Sequence, residues 1–121
     1  MYGLGNLGDK VTNFTTRVVH GAEYLKNKKA FTLADQFYRS GTSIGANCSE
    51  AVGAQTKADY LTKLHIALKE ANETSHWIDV MYTSKLIQED LYKSLRNDCS
   101  EICKILTTIT KKLKLNIENK L

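Results

Sequence analysis

Apolar residues recur along the chain at alternating steps of three and four positions, the period of a helix with one buried face. Four such runs follow one another, separated by short polar stretches. They predict helices over about residues 7–27, 32–52, 56–84 and 88–116, within a single domain covering 1–121. No β-branched stretch alternates between turn signals, so no strand is predicted. The predicted fold class is all-α, an antiparallel up-down-up-down four-helix bundle with short connections.

Local chemistry supports these boundaries. The chain contains no proline, which would interrupt helix interiors. Glycines near the start place the beginning of the first helix between Asn6 and Asp9. Thr32 and Thr56 are predicted N-caps, because a threonine hydroxyl can accept a hydrogen bond from an unpaired backbone N–H. Asp59 follows Thr56 by three residues, as in a capping box with a shorter acid.

The two middle helices carry more apolar surface than a bundle helix needs. Either these helices are the most buried pair, or a second subunit covers the surplus face, and we expect a homo-oligomer. Gly41 and Gly45 lie four residues apart in the second helix and predict a tight helix crossing, with a flexible hinge as the alternative. The surplus positions are Ala34, Tyr38, Gly41, Gly45, Cys48 and Val52, then Leu61, Leu68, Ser75 and Tyr82, with Ile66 and Trp77 on another side.

Several polar residues interrupt the apolar surface of the middle helices and would need partners there, since an unpaired buried polar group is costly. We expect Arg39 to pair with Glu70 or Glu73, and Asn47 to hydrogen-bond across helices. A ligand-binding or catalytic site is the alternative interpretation. The residues that form this polar set are Gln36, Arg39, Ser43, Asn47, Glu50, Glu70 and Glu73.

Composition limits the classes of protein that fit. The 121 residues are 42% hydrophobic and carry a formal charge of +4, concentrated in the first and last segments of the chain. An anionic partner such as RNA is one explanation of this basic balance, and a solvated surface is the other. No apolar run approaches the roughly 20 residues that span a bilayer, and no secretion signal is evident. The expected location is the cytoplasm, with no membrane contact.

Catalytic and metal-binding signals are weak. Cys99 and Cys103 lie one turn apart on the fourth helix and could supply half of a metal site, but nothing nearby completes it. Glu73 and His76 match half of a paired di-metal motif, and no second half exists. The default interpretation of the three cysteines is small, reduced, buried side chains. We therefore expect no metal, no cofactor and no enzymatic activity.

One extended stretch resembles a known family. Residues 36–51 read QFYRSGTSIGANCSEA, and residues 57–60, residues 63–74 and Trp77 continue the likeness in order and spacing. The sequence is similar to a bacterial four-helix-bundle family first noticed as reading frames in intervening sequences of 23S ribosomal RNA genes. The chain departs from the family pattern at Cys48 and Ser49, where isoleucine and alanine are more common.

The resemblance implies a homopentamer of four-helix protomers with a positively charged surface or central channel, and no enzymatic activity. A related protein of diversity-generating retroelements binds a reverse transcriptase and nucleic acid, which implies RNA or DNA binding here. A protein-interaction scaffold without nucleic-acid contact is the alternative. The residues expected to contact a phosphate backbone are Lys26, Lys28, Lys29, Lys104, Lys111, Lys112 and Lys114.

Overall fold

The computed structural model describes residues 4–119 and is built from four helices. Helix α1 covers Asn6–Asn27, α2 covers Phe31–Val52, α3 covers Lys57–Thr83 and α4 covers Glu89–Asn119. No strand occurs within the described residues. The all-α, four-helix-bundle prediction is therefore confirmed. Helix α4 continues beyond the predicted limit at residue 116, while α3 is shorter than predicted at both ends.

The first turns of α2 and α3 differ in how they are capped. Thr56 caps α3 as predicted, and its hydroxyl accepts a hydrogen bond of 3.0 Å from the Asp59 N–H. The predicted N-cap at Thr32 is wrong, because α2 begins one residue earlier, with Ala30 at the cap position and no side-chain bond. The Ala30 carbonyl already accepts the first helical hydrogen bond, so Thr32 falls inside the first turn.

Helices α1 and α3 end in the same way, with a lysine in the left-handed conformation. Lys29 has φ 64° and Lys85 has φ 63°. The next N–H in each case donates back to a carbonyl five residues earlier, from Ala30 to Leu25 and from Leu86 to Met81. This pattern is a Schellman motif, in which glycine is the usual residue at the left-handed position. It turns the chain sharply enough for consecutive helices to pack antiparallel.

The core lies along the bundle axis, between the buried faces of all four helices. Helix α2 packs between α1 and α3, and α3 packs between α2 and α4, whereas α1 and α4 form the least extensive contact of the four neighbouring pairs. The largest fully buried side chains include Phe14, Phe37, Ile44, Leu64 and Ile102. Their burial matches the three-and-four spacing from which the helices were predicted, since each helix buries one stripe.

Gly41 sits at a tight crossing of α1 and α2, as predicted. A Cβ atom on Gly41 would lie 2.5 Å from Val18 Cγ1, closer than carbon atoms can approach without displacement. A Cβ on Gly45 would lie 3.2 Å from Thr15 Oγ1 and from Val11 Cγ1, a milder conflict. Helix α2 runs unbroken through both glycines, so the hinge alternative has no support.

The surplus apolar positions on α2 divide into two groups. Ala34, Gly41 and Cys48 are buried, which accounts for half of the predicted second face within one protomer. Tyr38 and Val52 remain 48% and 42% exposed. One portion of the surplus face therefore packs inside the bundle, as the first explanation predicts, and another is left on the protomer's surface. Its cover by a second subunit stays a prediction.

Candidate functional site

The polar side chains of α2 and α3 form a connected surface network, here called the α2–α3 polar face. The Arg39 guanidinium pairs with both Glu70, at 3.4 Å, and Glu73. The Gln36 side-chain carbonyl accepts a hydrogen bond of 3.3 Å from Arg39, and the Trp77 indole donates to Glu73 at 3.0 Å. The predicted pairing of Arg39 is confirmed, and it involves both glutamates rather than one.

This network lies in contact with water rather than in the core. The Arg39 side chain is 48% exposed, so each ion pair contributes at most about 1 kcal/mol to stability. Its geometry matters more than its energy. Two carboxylates and an amide hold one guanidinium in a fixed position beside the half-buried Trp77 ring, which leaves a mixed polar and aromatic surface at the centre of the two helices.

The predicted cross-helix hydrogen bond of Asn47 is wrong. The Asn47 side-chain amide donates instead to the Ser43 carbonyl within α2, at 2.8 Å. Ser43 in turn donates to the Arg39 carbonyl at 2.6 Å. Both side chains are only half-buried, and the carbonyl one turn earlier is always within reach of a short polar side chain. Glu50 is exposed at the end of α2 and accepts a hydrogen bond of 2.8 Å from Lys63.

A buried hydrogen bond between α2 and α3 was not predicted from the sequence. The Thr74 hydroxyl is 2.9 Å from the Ser40 hydroxyl, and both side chains are fully buried. Thr74 also donates to the Glu70 carbonyl, at 2.8 Å. The available signal was that both residues fall in apolar stripes of their helices, at positions where a hydroxyl needs a buried partner.

The first predicted group of lysines lies at one end of the bundle. Lys26, Lys28 and Lys29 are exposed where α1 turns into α2. The Tyr24 hydroxyl donates to the Leu86 carbonyl at 3.0 Å, which fastens the α3–α4 connection to the same end. Lys85, which was not predicted, is therefore a fourth exposed lysine there. These four residues are called the lysine end below, and their positions suit the negative dipole of helix C-termini.

The second predicted group lies elsewhere. Lys111, Lys112 and Lys114 are exposed on the last part of α4, and Lys104 is exposed nearer its middle. Because neighbouring helices are antiparallel, the end of α4 lies at the opposite end of the bundle from the lysine end. The structure therefore separates the seven predicted lysines into two groups instead of bringing them together on one surface of the protomer.

Ion pairing leaves these lysines uncompensated. The pairs within residues 4–119 engage seven acidic side chains but only six basic ones. None of the seven predicted lysines, nor Lys85, takes part in a pair in that range. Lys28 instead lies over the Tyr24 ring, with its ammonium 5.3 Å from the ring centre. The surface charge available to a partner is thus more basic than the net charge of the chain indicates.

A polar groove runs between α3 and α4, and we call it the α3–α4 groove. Its volume is about 440 Å³, and its lining includes Asn72, His76, Asp79, Arg96, Cys103 and Lys104. Asp79 accepts hydrogen bonds from the Tyr92 hydroxyl at 2.8 Å and from Arg96 at 2.9 Å. Partial burial opposes ionisation, but the hydrogen bonds from Arg96 and Tyr92 hold the pKa of Asp79 below its ordinary value. The sequence reasoning did not predict this groove.

The residues considered for catalysis or metal binding have other partners. Glu73 is held by Arg39 and Trp77, and the His76 ring packs against the Trp77 ring at 5.0 Å between centres. Cys48 is buried, and burial raises the pKa of its thiol to about 11. Within the part of the chain that the structure describes, no three His, Cys, Asp or Glu side chains are grouped closely enough to hold a metal ion.

Across residues 4–119, no helix combines the length and apolar character needed to cross a membrane.

Comparison with known proteins places these features in a family. A sequence profile described as "23S rRNA-intervening sequence protein" matches residues 7–108. A solved structure of a protein of unknown function, from the S23 ribosomal protein family of Bacteroides thetaiotaomicron VPI-5482, is 44% identical and superposes with a TM-score of 0.84. The match covers 87% of this chain and 98% of that one. No curated protein is significantly similar to the chain.

Proposed function

We propose that this chain, which belongs to the 23S rRNA-intervening sequence protein family, is a non-enzymatic oligomeric bundle that binds an RNA or DNA backbone. The observation that carries the proposal is the set of exposed lysines that have no carboxylate partner within residues 4–119. Neither the family description nor that of the solved relative names an enzymatic activity. We place the protein in the cytoplasm, where nucleic acid is available and its thiols stay reduced.

Lysine suits sequence-independent binding. Its ammonium is a compact point charge on a flexible stem, whereas bidentate readout of bases is a property of arginine and amide side chains. Two exposed aromatic residues, Tyr24 and Phe31, flank the lysines at the end of α1. The Tyr24 ring already carries the Lys28 ammonium over it, and its hydroxyl bonds the Leu86 carbonyl. Phe31 is then a single ring beside the lysines and not part of a row of rings interleaved with them. A stacking platform for single-stranded bases would need that interleaving. We therefore propose contacts to phosphates, with little discrimination between sequences.

The oligomer we propose is a homopentamer, as the family resemblance implies. Five copies of a chain with a charge of +4 carry +20, which would raise the local potential around any ring of lysines. The exposed side chains of Tyr38, Val52 and Ile66 on α2 and α3 support a subunit contact along these two helices, because exposed apolar side chains gain from burial. The α2–α3 polar face would then lie at or beside the subunit contact.

The test is fluorescence anisotropy with a short RNA and a DNA duplex over a range of salt concentrations, combined with native mass spectrometry. Two triple variants remove three charges each, K26Q/K28Q/K29Q and K111Q/K112Q/K114Q. The matched control is K10Q/K63Q/K93Q, which removes three lysines that already pair with carboxylates. If three lysines all contact phosphates, the slope of log K against log salt falls by roughly 2 to 3 in magnitude.

Binding that is indifferent to salt, or equally weakened in the control variant, would count against the nucleic-acid proposal. A single-subunit mass at working concentration would count against the oligomer. The alternative function, a protein-interaction scaffold, is favoured by the mixed surface around Trp77 and Arg39. A partner that survives nuclease treatment of an extract, and is lost with R39Q but not with the lysine variants, would support the scaffold instead.

A further inference from the structure

The two cysteines of α4 occupy very different surroundings although they lie one turn apart. Cys99 is fully buried, with its sulfur 3.3 Å from the Ala71 carbonyl and 3.2 Å from the Ser75 hydroxyl. Cys103 is only half-buried and lines the α3–α4 groove, with its sulfur 3.5 Å from the Asn72 side-chain oxygen. One thiol therefore faces the core, and the other lines a groove of about 440 Å³, large enough for a small molecule.

Charged groups around Cys103 give this groove a basic character. On α4, Arg96 and Lys104 line it on either side of Cys103, and on α3 His76 and Asp79 face it. Asp79 is occupied by Arg96 and Tyr92, so its negative charge is largely balanced. Lys104 has no ion-pair partner among the described residues. An anionic molecule entering the groove would meet Lys104 beside a thiol.

From this arrangement we propose that Cys103 is a site of reversible modification by small disulfides that carry carboxylate groups. Cys103 first loses its proton to solvent. The thiolate then attacks one sulfur of the small disulfide, so that a new sulfur–sulfur bond forms to Cys103 and the original bond breaks. The other half of the small molecule leaves as a thiolate, and a second small thiol reverses the exchange. The inference does not depend on the proposed nucleic-acid function.

Neighbouring hydrogen-bond donors favour the thiolate of Cys103. The neighbouring Cys99 thiol is the largest influence and, against partial burial, lowers the pKa of the Cys103 thiol to about 7, with Ser75 and Arg96 acting in the same direction. The same interaction, together with burial, raises the pKa of Cys99 well above that of a free thiol. Cys99 therefore remains protonated, with its S–H donated to the Ala71 carbonyl.

Helix geometry prevents Cys99 from completing an intramolecular disulfide. Side chains four residues apart on a helix have Cβ atoms roughly 5–6 Å apart, whereas a disulfide requires about 3.8 Å. Closing the bond would distort α4 in its middle. Modification should therefore stop at one mixed disulfide per chain, with Cys99 still reduced.

The experiment treats the protein with two small aromatic disulfides and follows the coloured leaving group. Dithiobis-nitrobenzoate carries a carboxylate on each ring, and dithiodipyridine of similar size is uncharged. We expect one fast equivalent per chain, retained in Cys48→Ser and lost in Cys103→Ser, with a rate midpoint near pH 7. The dicarboxylate reagent should react several-fold faster than the uncharged one at low salt, and Lys104→Gln should reduce only that advantage.

Three results would overturn the proposal. They are a fast equivalent that persists in Cys103→Ser, a rate midpoint at the ordinary thiol pKa of 9.0, and equal, salt-independent rates with both reagents. Intact mass resolves the product, because a mixed disulfide adds one reagent half, whereas an internal disulfide only loses two hydrogens and would contradict the geometry. Cys99→Ala should raise the midpoint. If circular dichroism shows that Cys99→Ala is unfolded, the rates of Lys104→Gln and the pH profile of the wild type still test the proposal.

Discussion

Replacing Gly41 by alanine should destabilise the bundle even though alanine is the better helix former. The exchange gains about 1 kcal/mol in helix propensity. Against this, the new methyl group would lie 2.5 Å and 2.7 Å from the two Cγ atoms of Val18, which is fully buried and cannot move into solvent. Overpacking of this kind typically costs about 1–3 kcal/mol. The new methyl group would contact both Cγ atoms of Val18, and a valine side chain cannot easily change its rotamer. We therefore expect a net loss of about 1–2 kcal/mol in the free energy of unfolding.

Gly45 provides the matched control in the same helix. The nearest atoms to a Cβ there are 3.2 Å away, on Thr15 and Val11, so a shift of a few tenths of an ångström relieves the contact. Gly45→Ala should therefore be neutral or stabilising, by up to about 1 kcal/mol from propensity. The two substitutions are chemically identical and four residues apart, so a difference in sign between them isolates the packing contribution.

A double-mutant cycle with Val18→Ala tests the cause directly. Val18→Ala alone should cost about 2 kcal/mol, since two buried methyl groups are lost. In that background the two Cγ contacts are gone, and only the Cβ of residue 18 stays close to the new methyl group, at 3.1 Å. This conflict is as mild as the one at Gly45, so the second substitution should be neutral or stabilise the protein. Urea unfolding followed by helical circular dichroism gives the four free energies, measured at one protein concentration because assembly would couple to stability. If Gly41→Ala stabilises the wild type as much as Gly45→Ala does, the tight crossing of α1 and α2 is refuted.

Two further contacts have measurable consequences. Thr74→Val leaves the buried Ser40 hydroxyl with only a 3.4 Å contact to the Phe37 carbonyl, so it should cost about 1–3 kcal/mol in urea unfolding. The double variant S40A/T74V should lose less unfolding free energy than the two single variants together. Strictly additive losses would contradict a hydrogen bond between the two hydroxyls. Asp79 has a pKa below its ordinary 3.8, so its stabilising effect is present at neutral pH and is lost as pH falls through the folded pKa. The stability difference between wild type and Asp79→Asn, below about 1 kcal/mol because Asp79 is 41% exposed, should therefore shrink at pH 3, and a difference that grows there would reverse the assigned sign.

The fold follows from the sequence because its signals are local and repeated. A three-and-four spacing sustained over more than five turns admits one buried face per helix, and the absence of proline leaves nothing to interrupt it. The tight approach at Gly41 was predictable for a similar reason, since glycine in a helix interior needs a packing explanation. What the pattern could not specify was the partner, and the structure assigns it to Val18 on α1.

The polar details were harder to predict because they depend on angles around each helix. Asn47 was expected to bond to another helix. Its angular position on α2 leaves the side chain half-buried, and the nearest acceptor is the Ser43 carbonyl of the same helix. Thr32 was expected to cap α2, but the left-handed lysine before it moves the helix start by one residue. The Asp79, Tyr92 and Arg96 cluster was missed altogether, because Asp79 is 13 residues from Tyr92 and 17 from Arg96 and meets them only when α3 and α4 pack.

The separation of the two lysine groups changes what the proposed nucleic-acid function requires. Helix α2, with 22 residues, spans about 33 Å between the two ends of the bundle. That distance is several times the Debye length of about 8 Å at physiological salt, so the ends attract phosphates independently. On the proposed function, one strand passing one end of an assembly would meet Lys26, Lys28, Lys29 and Lys85 of each subunit, or the α4 lysines, but not both. Only one of the two triple variants should therefore lower the salt slope for a short RNA, and equal losses in both would require a strand that runs along the length of the bundle.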